Sequence, residues 1–341
     1  METTAPRPTG PIGNDEAEFM EAARTSDGGS FALLTERFRR ELMLHCYRML
    51  ASYDDAQDLT QETFLRAWAK RESFQGRASL RTWLYRIATN ACLDFLEKRR
   101  DREPIPTDLQ GAGGTGTEVV YLQPWPDSQP DDPHTQAVAR ETIELAFIVA
   151  VQHLPARQRA VLIHRDVLGW PAQQTADTLE LTLASANSAL QRARATMREH
   201  LPDGRLDWSA QAGYGLSDEE RRLVSAYVRG LESLDMDALT ALLREDLRFA
   251  MPPQHGVWVG RGETVQAWLD SGFGRADVAD LKCRTTTANS QPAVAVYRRR
   301  PGAASYEALA MDVLRIEGGL VAEILTFESE MFARFGLPRQ L

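Results

Sequence analysis

Cysteine is scarce in this chain. Cys46, Cys92 and Cys283 are widely spaced, odd in number and set in no CxxC or HxxxC pattern. That excludes a disulfide framework and gives no ligand spacing for zinc, so all three read as small buried hydrophobes and no metal or cofactor is expected. Long apolar runs are absent too. Nothing approaches the roughly 20 residues that a membrane-spanning helix needs, and the segment Met1 to Pro11 is rich in Pro and Thr without an apolar core. The expectation is a cytoplasmic protein with no membrane partner. A basic excess is also missing, since 39 Lys and Arg stand against 48 Asp and Glu, a net charge of −9.

The distribution of that charge carries more than its sum. Residues 15–102 and 138–217 are balanced, with 15 basic against 15 acidic and 8 against 8. Residues 103–137 hold six acidic side chains and no Lys or Arg, and 218–341 hold 15 basic against 18 acidic. Neutral modules bind DNA weakly by counterion release alone, so a nucleic-acid role for them requires a larger partner.

With 43% hydrophobic residues over 341 positions, two or three compact units are expected. Residues 1–14 read as a disordered N-terminus. From 15 to 102 apolar residues recur at helical spacing, among them Phe31, Leu34, Phe38, Leu42, Met49, Leu80, Leu84, Ile87 and Phe95. The clear break is Ser73 to Ser79, a donor-rich loop around Gly76. Residues 103–137 carry six prolines and four glycines, a composition of an acidic flexible linker, with Tyr121, Leu122 and Trp125 as local anchors. Helical patterning returns over 138–202. Pro155 opens one helix that stops at Leu168-Gly169, Pro171 opens a short second, and Thr182 is the N-cap of a third running from Leu183 to about His200, together a helix-turn-helix. After a linker at 203–217 the remaining residues, 218–341, read as amphipathic helices and then strands around Val257–Val259, Val294–Tyr297, Met311–Ile316 and Val321–Phe327, with Glu317-Gly318-Gly319 as a hairpin turn.

Three features invite a functional reading. Asp54 to Phe64 is an acidic, amide-rich helix face, although a charge run on a helix is most often just solvated. Ile87 to Arg100 places Asn90 and Asp94 one turn apart before a basic end, which a helix macrodipole alone would also favour. The third is the helix-turn-helix with Ser188, Gln191, Arg192 and Arg194 projecting from its last helix.

In this order, and with this linker, the motifs of residues 16–201 resemble the sigma-70 family of RNA polymerase sigma factors, in its short extracytoplasmic function (ECF) group. The resemblance implies a multidomain protein in which two all-α sigma domains, a helical bundle and a helix-turn-helix, bind core RNA polymerase and promoter DNA. It implies that Asp55, Asp58, Gln61 and Glu62 dock on the clamp helices of the β′ subunit, and that both β and β′ are partners. It places Phe74, Gln75, Arg77 and Trp83 at a base flipped out of the −10 element, whose unstacking must be offset by stacking and hydrogen bonds. Trp83 reads equally as plain core. Asn90, Asp94, Lys98 and Arg99 fall on the helix that lies along the melted strand. Thr182, Ser185, Asn187, Ser188, Gln191 and Arg192 fall on or near the −35 recognition helix, where Arg suits guanine and Asn or Gln suits adenine. Arg194 and Arg198 suit phosphates. Leu183-Ala184 and Ala189 depart from the family pattern, which implies modest −35 affinity. In related holoenzymes the connector threads a basic channel, so the six carboxylates of 103–137 would imitate nucleic acid there; an ordinary spacer would have the same composition.

Residues 218–336 resemble a SnoaL-like domain of the cystatin-like α+β cone type on Phe249–Pro253, Trp258–Arg261, Gln291–Arg298 and Ala322–Ile324. That fold hosts both enzymes and inert modules. Asp312 and His255 are the acid/base candidates, yet a strand Asp can face solvent and a single His is usually structural, so no catalytic residue is expected. A small-molecule ligand, or an intramolecular contact on the sigma domains, is the open pair of readings for the cone. The competing overall reading is a SnoaL-like enzyme or ligand sensor fused to a DNA-binding module, which would leave the Asp54–Phe64 face without a purpose.

Overall fold

The computed structural model describes residues 17–18, 21–22, 25, 28–76, 78–102, 121–127, 144–201, 216–253, 256–273 and 280–341. The N-terminal 14 residues, Arg77, His255 and most of the 103–137 linker therefore lie outside the described residues. The chain forms two compact units. One holds the helices up to Arg102 together with those from Ala156 to His200; the other holds residues 121–127, a helix at Leu145–Gln152 and everything from Leu216 onward.

The first unit begins with α1 (Gly28–Glu36), α2 (Arg39–Leu50), α3 (Tyr53–Ala69) and α4 (Leu80–Arg102). Helix α2 stops because Ala51 turns left-handed, at φ 60°. Ser52 then starts α3 at once, its hydroxyl accepting from the Asp55 N–H at 3.2 Å. Ser79 plays the same part for α4, accepting from the Thr82 N–H at 3.1 Å. Leu42, Cys46, Met49, Ala56, Leu84, Ala88 and Cys92 are buried between these helices. Of the three cysteines expected inside, Cys46 and Cys92 are fully buried, whereas Cys283 is only half-buried.

The same unit continues with α6 (Ala156–Leu162), which widens into a π turn at Ile163–Val167, then α7 (Ala172–Thr178) and α8 (Leu183–His200); α5 denotes Leu145–Gln152. Thr182 caps α8, its hydroxyl accepting from the Ser185 N–H at 3.1 Å. Ala186, Ala189, Leu190, Ala193 and Met197 bury one face of that helix.

Helix α5 belongs to the second compact unit, together with the cone. Ser217 and Glu220 form a reciprocal capping box that starts α9 (Asp218–Ser233), and α10 (Met236–Ala241) follows. Gly230 is needed where these two helices cross, since a Cβ there would lie 2.7 Å from Leu239 Cδ2. A six-stranded sheet has the order β2-β1-β6-β5-β4-β3, with strands Leu243–Ala250, Val257–Val259, Asp280–Ala288, Gln291–Arg299, Glu307–Glu317 and Leu320–Glu328 for β1 to β6. Only the β1–β6 pair is parallel. Helix α11 (Arg261–Asp270) lies against β1 and β2. Tyr227, Leu231, Leu239, Leu247, Val294, Leu314 and Ile324 form the core under α9, the helices-then-sheet arrangement expected of a cone. The hairpin turn falls at Gly318 and Gly319, both at positive φ (59° and 76°).

Candidate functional site

Helix α3 separates its faces cleanly. Ala56, Thr60, Thr63 and Ala67 are buried, while Asp54, Gln57, Asp58, Gln61 and Leu65 are exposed one turn after another. Leu65 is 65% exposed. At helical spacing Leu65 reads as core, yet it is a large aliphatic side chain left in water at the end of an acid and amide row. Asp55 and Glu62 are half-buried and are held by cations of the same unit. Arg99 Nη1 lies 3.4 Å from Asp55 Oδ2. Arg66 donates to Glu62 Oε1 and to Asp94 Oδ2, each at 2.8 Å. Residues that the sequence assigned to two partners, Glu62 and Asp94, thus share one guanidinium.

The loop after α3 carries Gln75 exposed, whereas Phe74 is 7% exposed and packs on Trp83 with ring centroids 5.3 Å apart. Phe74 therefore supports the loop from beneath and presents no face to a base; Trp83, half-buried, keeps part of its surface. Along α4, Asn90 is half-buried, Asp94 and Lys98 are exposed, and Arg99 is half-buried with its guanidinium 5.8 Å from the Phe95 ring.

On α8 the expected readers share the face opposite the buried alanines. Thr182, Ser185, Asn187, Ser188, Gln191, Arg192 and Arg198 are all exposed. Two of them are already occupied at the cap, where the Thr182 and Ser185 hydroxyls are 2.9 Å apart. Arg194 differs from the expectation of a phosphate contact. It grips Asp166 with both arms, Nε to Oδ2 at 2.8 Å and Nη2 to Oδ1 at 2.6 Å, which clamps α8 to the turn before α7. This paired carboxylate raises the arginine pKa through their hydrogen bonds and mutual attraction. Ala189 is 7% exposed, so its small side chain belongs to packing.

In the cone, Asp312 does not face solvent. It is 8% exposed, and its two oxygens accept from Tyr227 Oη at 3.0 Å and Thr326 Oγ1 at 2.6 Å. Burial raises its pKa while those hydroxyls pull it back. The same two oxygens explain why a carboxylate sits in this core at all.

The connector segment 121–127 is ordered on the cone. Leu122 and Trp125 are 4% and 6% exposed. The Trp125 N–H donates to Asn289 Oδ1 at 2.6 Å, and the Asn289 N–H returns to the Trp125 carbonyl at 2.9 Å. Pro126 bridges to Ala288, and Asp127 Oδ2 accepts from the Ser290 N–H at 2.8 Å. Among the described residues no His/Cys/Asp/Glu group of metal-binding size occurs, and no helix is long and apolar enough to cross a membrane.

Comparison with known proteins agrees with this geometry. Residues 34–102 match sigma-70 region 2, residues 144–197 match sigma-70 region 4, and residues 224–324 match the SnoaL-like domain. The ECF RNA polymerase sigma factor SigG of Mycobacterium tuberculosis is 39% identical over 323 residues, covering 92% of this chain and 85% of that protein. The ECF RNA polymerase sigma factor SigW of Bacillus subtilis is 25% identical over 185 residues, 54% of this chain and 95% of the relative. The crystal structure of the Mycobacterium tuberculosis extracytoplasmic function sigma factor SigJ has the same fold, with a TM-score of 0.59 at 20% identity, covering 89% of this chain and 98% of that one. The chain belongs to the ECF sigma factors, as a promoter-recognising initiation factor with a fused SnoaL-like domain.

Proposed function

We propose that the α3 row of Asp54, Gln57, Asp58, Gln61 and Leu65 docks on the β′ clamp helices of core polymerase, with Asp55 and Glu62 fixed behind it. The observation that carries this reading is the segregation on α3, an exposed acid, amide and leucine row backed by a fully buried face. An acidic rim steers toward a basic partner, and an exposed Leu at its end supplies apolar area. On the same reading Gln75, Arg77, Trp83, Asn90, Lys98 and Arg99 hold the −10 strand, and Asn187, Ser188, Gln191 and Arg192 read the −35 element. Phosphate contact in that helix falls to Arg198, since Arg194 is engaged with Asp166.

The cone acts on this machinery in cis and not as a catalyst. Its buried carboxylate is consumed by two internal hydroxyls, and its β3–β4 turn holds the connector between the sigma domains by Trp125 and Asn289. A connector pinned there is not free to enter polymerase. Run-off transcription with core enzyme tests both parts. Asp58→Lys with Gln61→Lys should lower output by weakening core association at least tenfold, and Asn289→Ala should alter output while association persists. Full output from the first variant would refute the docking face.

A further inference from the structure

The two sigma domains of the first unit meet at a point where three buried side chains share one hydroxyl. His45 on α2, Thr89 on α4 and His164 in the turn after α6 are each 0% exposed. The Thr89 hydroxyl donates to the Tyr85 carbonyl at 2.7 Å, which spends its proton. Its lone pairs face His45 Nε2 at 2.9 Å and His164 Nε2 at 3.1 Å. Both rings must then donate from Nε2, so both Nδ1 atoms are bare acceptors, and neither has a hydrogen-bond partner among the described residues. The rings stack at 5.5 Å, closed in by Tyr85 and Trp170.

Each charged or titratable neighbour opposes a proton on Nδ1 or is already spent. Arg48 on α2 and Arg81 on α4 both disfavour a cation at His45. Glu41 accepts from Arg81 and from Tyr85. From the region 4 side, Arg159 donates to the Met49 and Leu154 carbonyls and Arg165 to the Trp170 carbonyl. Burial holds both histidines below their ordinary pKa, His164 at about 3.

Further contacts beside this junction hold the two sigma domains of the first unit against one another. Glu180, two residues before the N-cap of α8, pairs with Arg86 of α4 at 2.6 Å, and Gln174 Nε2 reaches Thr82 at 3.1 Å. The −35 and −10 elements lie about 25 base pairs apart, roughly 85 Å at ~3.4 Å per pair. The two domains must separate before both can be read. We infer that His45, Thr89 and His164 form an acid-sensitive latch that keeps the two sigma domains shut on one another in the free chain and releases them when the histidines are protonated. The inference rests on the assignment of the two domains to −10 and −35 DNA.

The sign follows from linkage. A histidine whose pKa is lower in the closed form stabilises closure at pH above its open value of about 6.5, and that stabilisation is lost as pH falls below it. Between pH 7.5 and 5.5 two such histidines shift the closed-to-open ratio by about 100-fold, about tenfold each. The test uses the full chain without polymerase, so its failure is separate from failure of core binding. Spin labels at Glu97→Cys and Glu199→Cys, in a Cys283→Ser background, report the separation of α4 and α8 by pulsed dipolar spectroscopy. A short-distance population at pH 7.5 should give way to longer distances at pH 5.5. The His45→Gln, His164→Gln variant keeps an N–H donor toward Thr89 without a titrating ring, and should stay closed at both values. Thr89→Val should open at pH 7.5 with its far-ultraviolet helical signal intact. An unchanged distance distribution in the wild type, or equal acid opening in the glutamine variant, would overturn the latch.

Discussion

Trp125 and Asn289 hold one another by two reciprocal hydrogen bonds across 164 positions of sequence, the Trp125 N–H donating to the Asn289 side-chain Oδ1 at 2.6 Å and the Asn289 N–H to the Trp125 carbonyl at 2.9 Å. Asn289 is 0% exposed and sits at φ 54°, a left-handed position that Asn tolerates better than most residues. A connector with the composition of a flexible spacer is thus fastened at its aromatic centre. Asn289→Ala removes the acceptor and strains the turn, and should cost about 1–3 kcal/mol. Digestion with a Glu-specific protease should cut within residues 103–137 faster than in the wild type. Equal cutting rates would show that the pair does not restrain the connector.

Arg192 is exposed on α8 with no pairing carboxylate among the described residues. Arg192→Ala should weaken −35-dependent transcription by about 1–3 kcal/mol, the worth of one bidentate base contact. Association with core polymerase should hold. Footprinting beside a core-binding titration separates the two, and parallel losses in both would contradict a base-reading role.

Arg194, one turn from the reading face, should behave differently. Its partner Asp166 is 15% exposed and the arginine 43%, so the bidentate pair is partly screened and is worth about 1 kcal/mol. Arg194→Ala should lower the melting temperature of the first unit, and its DNA defect should shrink when binding is measured well below that temperature. A DNA defect with no thermal shift would restore the phosphate role.

Tyr227 supplies one of two hydroxyls to the buried Asp312. Tyr227→Phe leaves a buried carboxylate with one donor fewer, a cost of about 1.5–3 kcal/mol for a bond to a charged group. Because burial raises the carboxyl pKa, protonation relieves the loss. The variant should recover toward wild-type stability as pH falls through the range of the raised pKa. A melting deficit that stays constant with pH would mean that the carboxyl is not ionised in the native cone.

Local signals made much of this molecule readable from sequence, and the limits have physical causes. Thr182 as an N-cap, the break at Ser73–Ser79 and the Gly318-Gly319 turn each depend on a few adjacent residues, and each is present. The strands β4, β5 and β6 showed as apolar runs because both their faces are largely buried. By contrast β3 is mostly exposed along Lys282 to Thr287, so its pattern carries no apolar stripe and it went unseen. Helix α11 escaped for a similar reason, since Thr264 is its single buried residue. The Arg194–Asp166 clamp, the inward turn of Phe74 and the seat of Trp125 depend on partners 9 to 164 positions away. No periodicity reports such pairings. Residue type suggested a phosphate contact at Arg194, and in the fold its guanidinium is paired with Asp166.

The central claim, that the α3 face delivers two otherwise weak DNA modules to core polymerase, is tested most directly by titrating the full chain into core enzyme and following run-off transcripts. The account predicts saturable association and promoter-specific transcripts for the wild type, with core affinity reduced at least tenfold, about 1.4 kcal/mol, by Asp58→Lys with Gln61→Lys. Wild-type chain that fails to associate, or a variant that binds and initiates like the wild type, would contradict it.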